Sequence, residues 1–152
     1  MIARISVVLV FLMGFYSFKT EKREQVKKQK NNFFNLTVEA KGIRNEKGYL
    51  EFALYNDPEV YAEVGKTYKQ IRKKITGENL SCTFENVPEG PYAMCIYHDE
   101  NGNNKCDQNF FGIPTEGYGF SNDIKPVLSV PTFEECSIIL DKPLSVSIDL
   151  IY

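Results

Sequence analysis

The sequence predicts an all-β protein: an antiparallel β-sandwich of about seven strands, immunoglobulin-like or transthyretin-like, carrying one long ordered loop. Three observations predict it. Short runs alternate apolar and polar residues with period two. Clusters of Gly, Pro, Asn and Asp separate those runs. One nearly continuous apolar run, Pro91 to His98, reads as a central strand covered on both faces, and it leads into a loop rich in Asp, Asn, Gly and aromatic residues.

The chain opens on the short basic segment Met1–Arg4, followed by the apolar run Ile5–Phe18. That run has the length of a secretory signal and is short for a membrane span, which needs about 20 residues. Residues 1–20 are therefore expected to be an export signal, the rival reading being an uncleaved N-terminal anchor. Residues 21–32 read as a basic linker and 33–152 as the sandwich domain. Residues 1–32 hold seven Lys/Arg and two Glu, which leaves eleven Lys/Arg against eighteen Asp/Glu in the rest. A domain this acidic repels nucleic-acid phosphates, so nucleic-acid binding is not expected, and any membrane contact falls to the N-terminal segment.

Within the domain, Leu36, Val38 and Ala40 share one face of a first strand. Leu50, Phe52 and Leu54 share one face of a second, which Asn56-Asp57-Pro58 ends. Pro58–Val64 fits one helical turn. Lys66–Ile75 fits either a helix or a charged edge strand, and the strand is the reading adopted, with Arg72-Lys73-Lys74 as a solvated edge. Leu80–Phe84, Pro91–His98, Glu134–Leu140 and Leu144–Leu150 complete the set. A hairpin symmetric about Pro88-Glu89 would set Cys82 opposite Cys95 and bring the two within disulfide reach. The competing reading is that the four cysteines are small buried hydrophobes. No C-x-x-C pair is present, which argues against a zinc or redox site.

The loop carries the candidate chemistry. Asp99, Asn101, Asn103 and Asp107 fall at positions 1, 3, 5 and 9 of a calcium-loop template, and Lys105 at position 7 would offer its backbone carbonyl. A hard cation suits such an oxygen ladder. The template departs at position 6, where Asn104 replaces the usual glycine, and at position 12, where Phe110 replaces a bidentate Glu. Glu116 is the first candidate for the missing carboxylate and Asp123 the second, with Glu100 turned to solvent. The same Asn and Asp side chains would also serve as Asx-turns that satisfy their own backbone. Phe110, Phe111, Tyr118 and Phe120 would pin the loop over the sheet. Alternatively Tyr118, Phe120 and Asn122 would form a surface that stacks on a sugar or grips a partner. His98, the single histidine, has no identifiable nucleophile beside it, so catalysis is not expected.

Pro88-Glu89-Gly90-Pro91-Tyr92-Ala93, then His98-Asp99-Glu100-Asn101-Gly102-Asn103, Asp107, and the run Gly112 to Asn122 (GIPTEGYGFSN) resemble a family of exported bacterial proteins catalogued as a domain of unknown function. The resemblance implies a β-sandwich and export, and it implies no activity. In that family a glycine commonly stands where this chain has Asn104. The expectation is a non-enzymatic exported protein, periplasmic, envelope-bound or secreted, whose calcium-stabilised loop presents a surface to an envelope protein or glycan. The alternative is a carbohydrate- or protein-binding module that needs no metal.

Overall fold

The computed structural model describes residues 32–127 and 129–152. The expected signal and all but the last residue of the basic linker lie outside them. The described residues form eight strands: β1 (Phe33–Lys41), β2 (Tyr49–Tyr55), β3 (Lys69–Lys74), β4 (Leu80–Pro88), β5 (Gly90–Asp99), β6 (Tyr118–Phe120), β7 (Ile138–Leu140) and β8 (Leu144–Asp149). They build two sheets, one ordered β4-β1-β8 and the other β3-β2-β5-β6, with β7 paired to the start of β5. The all-β sandwich expected from the period-two runs is the observed architecture.

Alternation buries one face of each sheet against the other. Leu36, Val38, Ala40, Phe84 and Ile148 meet Leu50, Phe52, Leu54, Met94 and Ile96 in the main core. A second core lies on the far side of β2 and β5, where Ala53, Tyr55 and Ala93 pack with Phe120, Phe133 and Cys136. This second layer covers the outer face of β5, which is why that strand reads as an unbroken apolar run.

The structure departs from the sequence reading in four places, three of them through strand pairing, which local pattern does not specify. The sandwich is not purely antiparallel, because β8 runs parallel to β1, with Val38 opposite Val146. Residues 134–140 are not one strand. Thr132 caps a helical turn over Phe133–Cys136 in a reciprocal capping box with Glu135, and only Ile138–Leu140 are extended. Tyr118–Phe120 is a short strand, not part of the loop. The hairpin about Pro88-Glu89 does not form, because β4 and β5 belong to different sheets: Cys82 faces Val38 across β1, and Cys95 faces Ala53 and Phe120. The four cysteines are free thiols.

Pro58–Val60 is a single helical turn capped by Asp57. The charged strand sits at a sheet edge as expected, and its lysines cross to the other sheet. Lys69 donates to the Glu85 carbonyl at 2.6 Å and Lys73 to the Ser81 carbonyl at 2.6 Å. Both acceptors lie on β4, the outer strand of its own sheet, so the lysines satisfy edge carbonyls that would otherwise pair with another chain. Arg72 is not solvated like its neighbours, because its register opposite Glu51 turns it toward buried carboxylates.

Candidate functional site

β5 ends at Asp99, and the following loop returns to the sheet at Tyr118. Asp99 is fully buried. One carboxylate oxygen accepts the backbone N–H groups of Gly102 (2.7 Å) and Asn103 (3.0 Å). The other accepts the Asn104 N–H (2.8 Å) and the Arg72 guanidinium (2.8 Å). Burial alone would raise the pKa of this group. The Arg72 guanidinium and the three backbone N–H groups outweigh that effect and hold the carboxyl below its usual range. Arg72 also reaches Glu51 at 2.5 Å and stacks 4.1 Å above the Tyr49 ring, while Gln70 donates to the second Glu51 oxygen at 2.7 Å. The loop is thus folded onto a carboxylate that an arginine of β3 reaches across β2.

The ladder residues make consecutive Asx-turns. The side-chain oxygen of Asn101 accepts the Asn103 N–H (3.0 Å), and that of Asn103 accepts the Lys105 N–H (2.9 Å). Their amide nitrogens converge on Asp107, from Asn101 at 2.6 Å and from Asn103 at 3.0 and 3.1 Å. Asn104 adopts φ 65°, the left-handed conformation that a glycine would supply at this template position. Glu116 is buried and closes the loop, accepting the N–H groups of Glu100 (2.9 Å) and Asp107 (3.0 Å).

Glu100 does not face solvent. It accepts from Arg44 Nε at 2.7 Å and from the Asn45 amide at 3.0 Å, and these contacts overcome its burial to hold its pKa below the usual carboxylate range. Asp123 is directed away from the loop, accepting the Asp149 N–H at 2.9 Å. Asp99 therefore spends its oxygens on backbone donors and Arg72, Glu116 spends its oxygens on backbone donors, and Asn101, Asn103 and Asp107 meet one another. Among the described residues, no group of three His, Cys, Asp or Glu is arranged to hold a metal ion.

Tyr118 and Phe120 pair with β5 opposite Tyr97 and Cys95, their rings 5.9 Å apart in a T-shaped contact. Phe120 is buried in the second core, so its ring anchors the loop's return and does not face a partner. Asn122 donates to the carbonyls of Glu135 (3.0 Å) and Ser137 (3.1 Å), bracing the helical turn. Phe110 and Phe111 do not pin the loop: they are 96% and 82% exposed, and Ile113 is 58% exposed. The tip that carries them is ordered by Asn109, whose side-chain oxygen accepts the N–H groups of Phe111 (2.9 Å) and Ile113 (3.1 Å). Asn109 N–H also donates to the Ile113 carbonyl at 2.8 Å.

His98 lies beneath the loop, fully buried, with Nε2 2.8 Å from the Lys47 carbonyl and Nδ1 2.9 Å from the Tyr152 hydroxyl. The carbonyl can only accept, so Nε2 carries the proton and, in the neutral ring, Nδ1 accepts from Tyr152. Tyr152 in turn receives the Arg44 N–H at 3.1 Å and lies under the Arg44 guanidinium. Its ring occupies the space above Gly117, where an added Cβ would sit 2.3 Å from a ring carbon. Gly48 has the same necessity on the other side, since a Cβ there would lie 1.8 Å from the Asp99 carbonyl oxygen. Burial pushes the Cys82 and Cys95 thiols up to about 12 and Cys106 to about 11, so none is a ready nucleophile.

Sequence reasoning missed Arg72, Glu51 and Tyr152 as parts of this site. Arg72 stands among lysines and Tyr152 at the end of the chain, and no local pattern marks either. Glu51 alternates with apolar neighbours like any solvent-facing strand residue. No described helix is long and apolar enough to cross a membrane.

Residues 38–147 match the model of a family described as an uncharacterized protein conserved in bacteria. No curated protein and no solved structure matches the chain.

Proposed function

We propose, for this chain, which belongs to the bacterial family DUF2141, a non-enzymatic role as an exported β-sandwich binding module. Its loop, ordered without metal, presents Phe110, Phe111 and Ile113 to an envelope protein or glycan. The observation that carries this reading is the contrast between the loop's base and its tip. Asp99 and Glu116 hold the base from within the fold, whereas two adjacent phenylalanines stand almost wholly in water. Exposed aromatic rings on a held backbone bury large area on contact at small cost in ordering. The apolar run Ile5–Phe18 behind a basic start supports export. The buried, doubly engaged His98 supports a role without catalysis.

The test is a photo-crosslinking residue at Phe110 in the producing cell, with the equally open Val64 as control. A discrete adduct at position 110 alone supports the reading. No adduct, or the same adducts at both positions, overturns it.

A calcium-stabilised loop is the second reading, and the convergence of Asn101, Asn103 and Asp107 around a left-handed Asn104 favours it. The donors available to a cation are the Asp107 carboxylate, the Asn101 and Asn103 amides once turned to present oxygen, and the Lys105 carbonyl. Asp99 and Glu116 would have to surrender backbone N–H partners to join them. The residues fit a hard cation in kind and fall short in free carboxylates. Metal removal separates the two readings.

A further inference from the structure

Cys95 on β5 and Cys136 at the end of the helical turn are far apart in sequence and share the second core with Tyr61. Tyr61 donates to the Met94 carbonyl at 3.4 Å, next to Cys95, and its ring meets Phe133, at the start of the same turn as Cys136, edge-on at 5.8 Å. Cys95 and Tyr61 both pack against the buried Cys136 cluster. The backbones are tied as closely: the Ser121 hydroxyl accepts the Met94 N–H at 3.0 Å and donates to the Cys136 carbonyl. Asn122 then holds the carbonyls on either side of Cys136. Among the described residues, the other two cysteines lie outside this core. Cys82 lies in the main core, and Cys106 lies in the loop beside Asp99, Asp107 and Glu116.

We infer that Cys95 and Cys136 form a disulfide when the protein folds under oxidising conditions, fastening the helical turn and the β6–β7 connection to the central strand. Two S–H bonds are lost and one S–S bond forms. The two electrons pass to a small-molecule disulfide of the glutathione type, which leaves as two thiols carrying the two protons. The raised pKa of the partly buried Cys95 thiol makes it a slow attacker in the finished fold, so the bridge is set during folding, before Tyr61 closes over the pair. That such conditions are met in the cell rests on the export reading, whereas the pairing itself rests on the fold alone.

The full chain is refolded from denaturant with mixed oxidised and reduced glutathione. Free thiols are then alkylated under denaturing conditions and the unreduced peptides are mapped by mass. The expected product links Cys95 to Cys136, leaves Cys82 and Cys106 alkylated, and melts several degrees above the reduced form, since the bridge closes a loop of about 40 residues. Cys82→Ala/Cys106→Ala keeps both the link and the gain, and Cys136→Ala loses both. Alkylation of all four cysteines, pairing of Cys95 with Cys82 or Cys106, or a linked species that melts below the reduced form would each overturn the inference. None of these outcomes bears on whether the loop tip binds a partner.

Discussion

The Arg72 guanidinium stands 2.8 Å from the Asp99 carboxylate and links β3, an edge strand, to the residue on which the long loop is folded. The same guanidinium holds Glu51, so one cation is shared between two buried carboxylates. Removing it leaves both unpaired. Arg72→Met should destabilise the domain by about 3 kcal/mol, the low end for a broken buried pair, because a quarter of the arginine side chain remains in water. Arg72→Lys should recover little, since an ammonium cannot fork to two carboxylates. Urea unfolding measures both, and a loss under about 1 kcal/mol for the methionine variant would show that the pair adds little to stability.

Asp99 and Glu100 have lowered pKa values, so their contribution to stability is complete above the ordinary carboxylate value near 4 and disappears as pH falls through the folded-state values. Acidification below about pH 4 should therefore loosen the loop base. Amide exchange at Gly102, Asn103 and Asn104 should accelerate there ahead of exchange at Val38 or Ile96. Uniform acceleration across the domain would contradict a loop-centred effect.

Gly117→Ala sets a methyl group against the Tyr152 ring. Overpacking of this kind costs about 1–3 kcal/mol unless the ring moves. The expected outcome is displacement of Tyr152, read as a change in the His98 ring resonances when its Nδ1 partner is lost. Tyr152→Phe should reproduce the resonance change without the clash. An alanine variant with unchanged stability and unchanged His98 signals would refute the contact.

Phe110→Ser/Phe111→Ser should leave the unfolding free energy within about 0.5 kcal/mol, because neither ring packs on the core. It should also abolish the adduct formed from a crosslinker moved to Ile113. Phe120→Ala, by contrast, removes a buried ring and should cost about 3 kcal/mol or more whatever it does to binding.

Chelation distinguishes the two readings of the Asn/Asp ladder. The metal-free reading expects the same melting midpoint in EDTA and in millimolar calcium. The calcium reading expects a rise of several degrees, about 2.7 kcal/mol at a hundredfold saturation, abolished by Asp107→Ala. Asp99→Ala is uninformative here, since it deprives three backbone N–H groups of their acceptor with or without metal.

The sequence by itself determined the strands whose faces differ. Leu36-Val38-Ala40 and Leu50-Phe52-Leu54 alternate because one face meets a core and the other water, and that contrast is written locally. The apolar run before Asp99 disclosed a strand covered twice, and the Asx-turns of Asn101 and Asn103 were legible because each satisfies a backbone group two residues away. Tertiary structure alone decided partnership. Period-two alternation does not say which strand lies beside which, so the β1–β8 parallel pair, the separation of Cys82 from Cys95, and the approach of Cys136 to Cys95 were invisible. Arg72 looked like one more edge cation, because the carboxylates that claim it stand 21 and 27 residues away. The exposure of Phe110 and the burial of Phe120 were decided in the same way. Both are phenylalanines in one aromatic stretch, and only the pairing of β6 with β5 draws the second inside.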